Sequence, residues 1–184
     1  MDRSYLFAPG HNAKLLNRVF GAGADAVMLD LEDAVPPDAK VTARSMVAEA
    51  LLDHPAWVRV NAAQTAWCEA DLAAVADRAF GIRIPKVESV GDVEWVTARA
   101  PGKPIICAIE SARGVLAAQQ IAAVPGVGFW PWVVSTCSAT STPPAGICKP
   151  SMRGHIWLWC RARRGSSRPS TVSSPCSTTP PDFA

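Results

Sequence analysis

The chain has 184 residues, 49% of them hydrophobic, and a formal net charge of +2 at pH 7. This length fits one domain, or one domain with a tail, and the apolar fraction is enough for a buried core. A net charge this small does not favour a nucleic-acid partner. The longest apolar stretch of the C-terminal part, VGFWPWVV, is too short to span a bilayer. Because the N-terminus shows no signal peptide, we expect a cytoplasmic protein.

Short apolar runs alternate with segments of helical periodicity along the first two thirds of the chain. Such alternation predicts an α/β fold with a parallel sheet whose two faces are both covered. An open doubly wound sheet and a (β/α)8 barrel both fit five β/α units. We expect Asp38 to cap the second helix. The predicted strands are residues 5–7, 26–29, 57–60, 82–84 and 105–109, and the predicted helices are residues 13–20, 39–52, 70–79, 90–98 and 115–123.

The regular pattern ends after Gly128. Residues 1–126 contain 12 Lys+Arg and 15 Asp+Glu, whereas residues 127–184 contain 6 and 1. The C-terminal part is rich in Ser, Pro, Trp and Cys and has no sustained period, as in an irregular or disordered segment. We therefore predict two parts, residues 1–128 and residues 129–184. A shift of reading frame near residues 128–130 would explain the change in composition.

Three carboxylates, Asp30, Glu32 and Asp33, directly follow the second predicted strand. In parallel α/β folds, the carboxyl ends of the strands carry the chemistry. Clustered carboxylates repel one another, so a divalent cation or a nearby Arg or Lys should balance them. The alternative is a solvated loop in which Asp33 or Asp38 caps the next helix.

Charged residues also follow the next three strands. Arg59 lies within an apolar strand and could grip a substrate carboxylate in bidentate fashion, or form a structural salt bridge to the preceding acids. Glu110 follows the fifth strand and suits a Mg²⁺ ligand, or else a partner of Arg113. Lys86 and Glu88 form either a structural pair or the rim of a site.

Several motifs of the chain resemble those of the citrate lyase β-subunit-like branch of the HpcH/HpaI aldolase family. They are RSYLFAPG, GADAVMLDLEDAVPPDAKVTAR, VRVNAAQTAWCEADL, GIRIPKVES and ICAIESARGVLAAQQIA. The resemblance implies a (β/α)8 TIM barrel, usually trimeric or hexameric. It implies Mg²⁺ as cofactor, acyl-CoA and 2-oxo-acid substrates such as citryl-CoA or malyl-CoA, and cleavage of a carbon–carbon bond by a retro-Claisen reaction.

The resemblance also implies roles for four residues. Arg59 corresponds to the arginine that binds the carboxylate of the oxo acid, and Glu110 to the first Mg²⁺ ligand, which also contacts substrate. Glu32 and Asp33 correspond to the catalytic acids that hold the waters of the metal and orient the arginine.

The chain departs from the family pattern after the predicted fifth unit. The family has a second metal-binding Asp after the sixth strand, but GVGFWPWVVSTC contains no acid there. We therefore expect an incomplete barrel with open edges at the first and fifth strands, and an impaired lyase. The alternatives are a class II 2-oxo-acid aldolase, which typically has a histidine where this chain has Asp33, and a catalytically inactive assembly subunit.

The cysteines do not predict a metal site. Cys68 and Cys107 are expected to be core thiols. The other four are at least ten residues apart and form no Cys-x-x-Cys pair.

Overall fold

A computed structural model of the chain describes residues 4–132 and 158–160. Its strands form one sheet in the order β1 to β7, in which β1 to β6 are parallel and β7 runs antiparallel to β6. The predicted α/β class with a parallel sheet is therefore confirmed. The strands are β1 Tyr5–Pro9, β2 Ala26–Asp30, β3 Trp57–Arg59, β4 Gly81–Ile84, β5 Ile105–Cys107, β6 Val127–Trp132 and β7 Leu158–Cys160.

A helix follows each of the first five strands. The helices are α1 Ala13–Val19, α2 Lys40–Asp53, α3 Ala66–Val75, α4 Val90–Arg99 and α5 Ala112–Ala122. Helix α3 begins four residues before its predicted start because the Thr65 side chain accepts a hydrogen bond from the Cys68 amide at 3.1 Å. The prediction that Asp38 caps α2 was wrong. Asp38 lies in a short 3₁₀ turn, Pro37–Ala39, and no side chain caps α2.

The two faces of the sheet have different surroundings. Since side chains alternate along a strand, the register assigns one face to Leu29, Val58 and Ile82, which belong to the large core shared with the helices. The opposite face carries a smaller apolar cluster of Met28, Trp57 and Ile106. We call this opposite face the inner face.

Two arginines and a carboxylate occupy one row of the inner face. Asp30 is the register partner of Arg59, and Arg59 is the register partner of Arg83. Because partnered residues of parallel strands point to the same side, these three side chains share the inner face near the carboxyl ends of their strands. The fold thus brings charged residues that are distant in sequence into a single row.

The edges of the sheet differ from the expectation. Within the described residues, β1 pairs only with β2, and Leu6 and Phe7 are 39% and 40% exposed. The expected open edge at the fifth strand was wrong, because β6 pairs with β5 through one register irregularity. Of the predicted tail, only residues 129–132 and 158–160 are described, as parts of β6 and β7; the remainder of that prediction lies outside the described residues.

No helix in residues 4–132 combines the length and apolar character that crossing a bilayer requires.

Candidate active site

Arg59 is the centre of a charged cluster at the carboxyl ends of β2 to β5. Its Nε donates to Asp30 Oδ1 at 2.8 Å and its second terminal nitrogen donates to Asp30 Oδ2. Its other terminal nitrogen lies 3.0 Å from Glu32 Oε2. The structural salt bridge to the preceding acids is therefore present. Asp30 takes two of the five N–H groups of the guanidinium and Glu32 faces one of the others, so two remain for a further anion.

The charge of Arg59 is stabilised by its acidic neighbours. Burial lowers the pKa of Arg59, but the hydrogen bond to Asp30 and the charges of Asp30, Glu32 and Asp33 outweigh it and raise the pKa above its ordinary value. The guanidinium is thus held in a fixed orientation and remains charged.

Asp30 organises both the arginine and the loop that follows β2. Its side chain is 2% exposed, and its Oδ1 also accepts a hydrogen bond from the Glu32 amide at 2.9 Å. Sequence reasoning named Asp30 only as one of three clustered acids. The signal that identifies its role is the register of β2 against β3, which places Asp30 directly beside Arg59.

Lys86 connects the fourth strand end to the same acids. Its Nζ lies 2.8 Å from Glu32 Oε1 and 3.1 Å from Asp33 Oδ1. Interaction with Glu32 is the main cause of its raised pKa, and it outweighs the opposing effect of burial. The backbone of Lys86 has φ 52°, a left-handed conformation that non-glycine residues adopt rarely and that is commonly found at functional sites. No ion pair of the described residues joins Lys86 to Glu88; the partners of Lys86 are Glu32 and Asp33 instead.

Lys40 and Asn61 fix the backbone of the acidic loop that follows β2. The Nζ of Lys40 donates to the carbonyl oxygens of Leu31 and Glu32 at 2.8 and 2.9 Å. The side-chain amide of Asn61 donates to the Leu31 carbonyl at 3.0 Å. Burial lowers the pKa of Lys40. Sequence reasoning missed Lys40, because its position at the start of a helix gave no indication of its direction.

Glu110 belongs to the cluster but is not bonded within it. It follows β5 at an intermediate level of exposure, and no described residue forms an ion pair or hydrogen bond with its carboxylate. Burial and the charge of Glu32 raise its pKa, against the positive charges of Arg83, Lys86 and Arg59. The structure therefore brings Glu110 near Arg59 and Glu32, and it does not show the alternative pairing with Arg113.

Arg83 is a residue of the cluster that sequence reasoning missed. It is 5% exposed, its Nε has no hydrogen-bond partner, and no ion pair of the described residues includes it. Its guanidinium carbon lies 5.7 Å from the centre of the Phe7 ring. A charged residue inside an apolar strand was the signal that identified Arg59, and the same signal is present in GIRI.

The cluster offers few side chains that could bind a metal ion directly. The described residues contain no group of three or more His, Cys, Asp or Glu side chains arranged to hold a metal ion. However, Glu110 is an unbonded carboxylate, and each buried oxygen of Glu32 has one cationic partner, Lys86 at 2.8 Å and Arg59 at 3.0 Å, which leaves a lone pair on each oxygen. Mg²⁺ typically takes one or two carboxylates together with waters and substrate oxygens. Glu110 as a direct ligand, with Glu32 as an acceptor for a metal-bound water, fits that preference.

Known proteins resemble most of this chain. The sequence profile described as HpcH/HpaI aldolase/citrate lyase matches residues 3–129. The (3S)-malyl-CoA thioesterase of Cereibacter sphaeroides is 42% identical over 129 residues, which cover 67% of this chain and 45% of that protein. The citrate lyase subunit beta of Escherichia coli is 41% identical over 138 residues, covering 65% of this chain and 45% of that protein. The chain thus spans about half the length of these relatives.

Solved structures agree with the sequence matches. The citrate lyase beta subunit of M. tuberculosis, complexed with oxaloacetate and magnesium, has a TM-score of 0.59 at 32% identity, covering 70% of this chain and 56% of that one. A structure of CitE from the same organism with magnesium, acetoacetate and coenzyme A has a TM-score of 0.59 at 33% identity, covering 70% and 47%.

Proposed function

Because the chain belongs to the HpcH/HpaI aldolase/citrate lyase family, we propose that its charged cluster binds the 2-oxo-acid part of an acyl-CoA substrate in a Mg²⁺-dependent carbon–carbon lyase reaction. The substrates are thioesters of the citryl-CoA or malyl-CoA type. The observation that carries this proposal is the Arg59 guanidinium, which Asp30 and Glu32 fix in place while two of its N–H groups remain for an anion.

Arg59 binds the carboxylate of the oxo acid. A guanidinium whose orientation is already set by Asp30 loses little freedom when it binds a substrate, and its partial burial strengthens the interaction. Glu32 and Lys86 line the same position. Cleavage of the carbon–carbon bond turns the substrate hydroxyl into the carbonyl of the oxo acid, with its proton passing to water, and leaves the electron pair on the thioester fragment as an enolate. Arg59 and Lys86 are the fixed positive charges of the cluster that can stabilise it.

Glu110 is the residue we assign to the metal, with Glu32 and Asp33 on its waters. Bound Mg²⁺ would act as a Lewis acid on the carbonyl that forms in the oxo acid. The M. tuberculosis structures contain magnesium together with oxaloacetate or acetoacetate, which supports this assignment. We expect homo-oligomers, as in the intact family.

The activity of this chain should be weak. Residues 127–181 contain no Asp or Glu, so the sequence that directly follows β6 offers no second carboxylate for the metal. With Glu110 as its one direct carboxylate, the site should hold Mg²⁺ more loosely than a site with two carboxylates. We therefore place the chain among the family's lyases with an impaired metal site.

Hydrolysis of the thioester is a second candidate function. It is favoured by the 42% identity to a (3S)-malyl-CoA thioesterase. The two reactions give different products from malyl-CoA: cleavage gives acetyl-CoA and glyoxylate, whereas hydrolysis gives malate and free CoA.

The test combines ligand binding with product analysis. Calorimetric titration with pyruvate and Mg²⁺ should show binding to the wild type and a loss of at least about tenfold in Arg59→Gln, since a charge-assisted pair is removed. The exposed Arg18→Gln variant is the matched control. Incubation with malyl-CoA and citryl-CoA, with Mg²⁺ or with EDTA, followed by mass spectrometry, identifies the products. Equal pyruvate binding by the wild type and Arg59→Gln would contradict the proposed role of Arg59.

A further inference from the structure

Arg83 is a buried positive charge without a bonded counterion. Arginine stays protonated at any physiological pH, and a buried charge needs a partner. The nearby acids are already engaged, because Asp30 and Glu32 contact Arg59, and Glu32 and Asp33 contact Lys86. The described residues therefore leave the Arg83 Nε without any hydrogen bond.

The two arginines of the inner face lie side by side. Arg59 and Arg83 are register partners on β3 and β4, whose strands lie about 4.8 Å apart. Their guanidinium carbons lie 5.5 and 5.7 Å from the centre of the same Phe7 ring. Burial and the charge of Arg59 lower the pKa of Arg83, and the charges of Glu110, Glu32 and Asp30 offset this only in part. An anion placed between them would compensate it.

Phe7 and Glu110 do not meet this need. A ring face attracts the guanidinium but accepts no conventional hydrogen bond from its buried Nε. Glu110 acts on Arg83 through its charge, yet the two form no ion pair, and the proposed function uses the Glu110 carboxylate for the metal. A ligand that carries its own second acid group would supply the missing partner.

We propose that Arg83 binds a second carboxylate of the substrate and thereby selects dicarboxylic 2-oxo acids over monocarboxylic ones. This inference rests on the proposed function, in which Arg59 binds the first carboxylate. Cleavage of a citryl thioester releases oxaloacetate, which has two carboxylates, whereas cleavage of malyl-CoA releases glyoxylate, which has one. Arg83 therefore assigns the site to citryl-type thioesters rather than malyl-type ones.

The experiment compares two oxo acids that differ by one carboxylate. Freshly prepared oxaloacetate and pyruvate are titrated, with Mg²⁺, into the wild type, Arg83→Gln and Arg83→Lys, whose folding is checked by circular dichroism. We expect the wild type to bind oxaloacetate at least about tenfold more tightly than pyruvate. Arg83→Gln should lose this preference while keeping its affinity for pyruvate, and Arg83→Lys should keep part of the preference.

Retention of the full oxaloacetate preference by Arg83→Gln overturns the role of Arg83. Equal affinity of the wild type for both acids overturns the role of Arg83 and leaves the proposed function intact. A loss of both affinities in Arg83→Gln and Arg83→Lys shows a structural role and also overturns it. If the wild type binds neither acid, the proposed function fails and this inference fails with it. Should Arg83→Gln not fold, the wild-type preference together with Arg83→Lys decides the question.

Discussion

Arg59 and Asp30 are register partners at the ends of neighbouring strands, and the Nε of Arg59 lies 2.8 Å from the Oδ1 of Asp30. The same Oδ1 accepts a hydrogen bond from the Glu32 amide, so one carboxylate holds both the arginine and the turn after β2. The geometry of the cluster therefore depends on Asp30 more than on the acids that follow it.

Replacing Asp30 by Ala should strongly destabilise the chain. The change leaves the partly buried Arg59 with only Glu32 as counterion, and removing one partner of a buried pair costs about 3–5 kcal/mol. Urea unfolding measures the loss, and Asp77→Ala at an exposed position is the control. A change below about 1 kcal/mol, as is usual for surface pairs, would show that the contact contributes little to stability.

Glu110→Gln should stabilise the metal-free chain near neutral pH. Because burial and Glu32 raise the pKa of Glu110 in the folded state, the folded chain keeps this proton at pH values where the unfolded chain has lost it. Stability of the wild type therefore falls as the pH rises from the ordinary value of about 4.3 towards the raised folded pKa. Gln cannot ionise, so the variant escapes this fall.

Thermal unfolding in EDTA checks the effect of Glu110. The two proteins should be equally stable well below the ordinary pKa, and Glu110→Gln should be more stable near neutral pH. The exposed Glu94→Gln variant should follow the wild type under both conditions. A lower stability of Glu110→Gln near neutral pH would mean that the charged carboxylate is stabilising.

Gly114→Ala should disturb the start of α5. A Cβ at this position would lie 2.5 Å from the Val87 carbonyl oxygen and 3.0 Å from Ile109 Cγ2, so the helix would have to move away from the segment after β4. Overpacking of this kind costs about 1–3 kcal/mol. Gly91→Ala in α4 is the matched control, because its Cβ would meet only Ser89 Oγ at 3.6 Å, and it should be neutral or stabilising by up to about 1 kcal/mol. Chemical denaturation compares the two, and equal effects would contradict close packing at Gly114.

Cys68 and Cys107 should resist alkylation in the folded chain. Burial raises the pKa of each thiol to about 12, and the thiolate is the reactive form. Iodoacetamide near pH 8, close to the ordinary thiol pKa of about 8.5, should label both residues only after unfolding in guanidinium. Peptide mapping by mass spectrometry resolves the two sites. Rapid labelling of either site in the native protein would contradict its burial.

The sheet could be predicted because its strands are short and continuously apolar. The strands carry buried apolar residues such as Ile82 and Ile105 on the core face. The alternation of strand and helix was therefore visible in the sequence without any long-range information. Helix starts were less certain, because Thr65 and Asp38 are both good caps and only one of them acts as such. The choice depends on the path of the preceding loop.

The site was partly predictable for a similar reason. The rule that parallel strands present their carboxyl ends together predicted that Arg59, Glu32 and Glu110 would be neighbours. Which acid grips the arginine depends on register, and a shift of one residue would reverse the face that Asp30 occupies. Arg83 carried the same signal as Arg59, a charge inside an apolar strand, and was overlooked. Lys40 was missed because the direction of a long side chain follows from tertiary packing, which a single sequence does not reveal.

Among the described residues, the outer side of β1 pairs with no other strand, and Leu6 and Phe7 flank it at the surface. Such an edge is a template on which another extended segment can dock, from this chain or from a second molecule. The fraction of protein that stays folded in solution should consequently depend on protein concentration as well as on temperature. A peptide complementary to this edge would be a rational stabiliser.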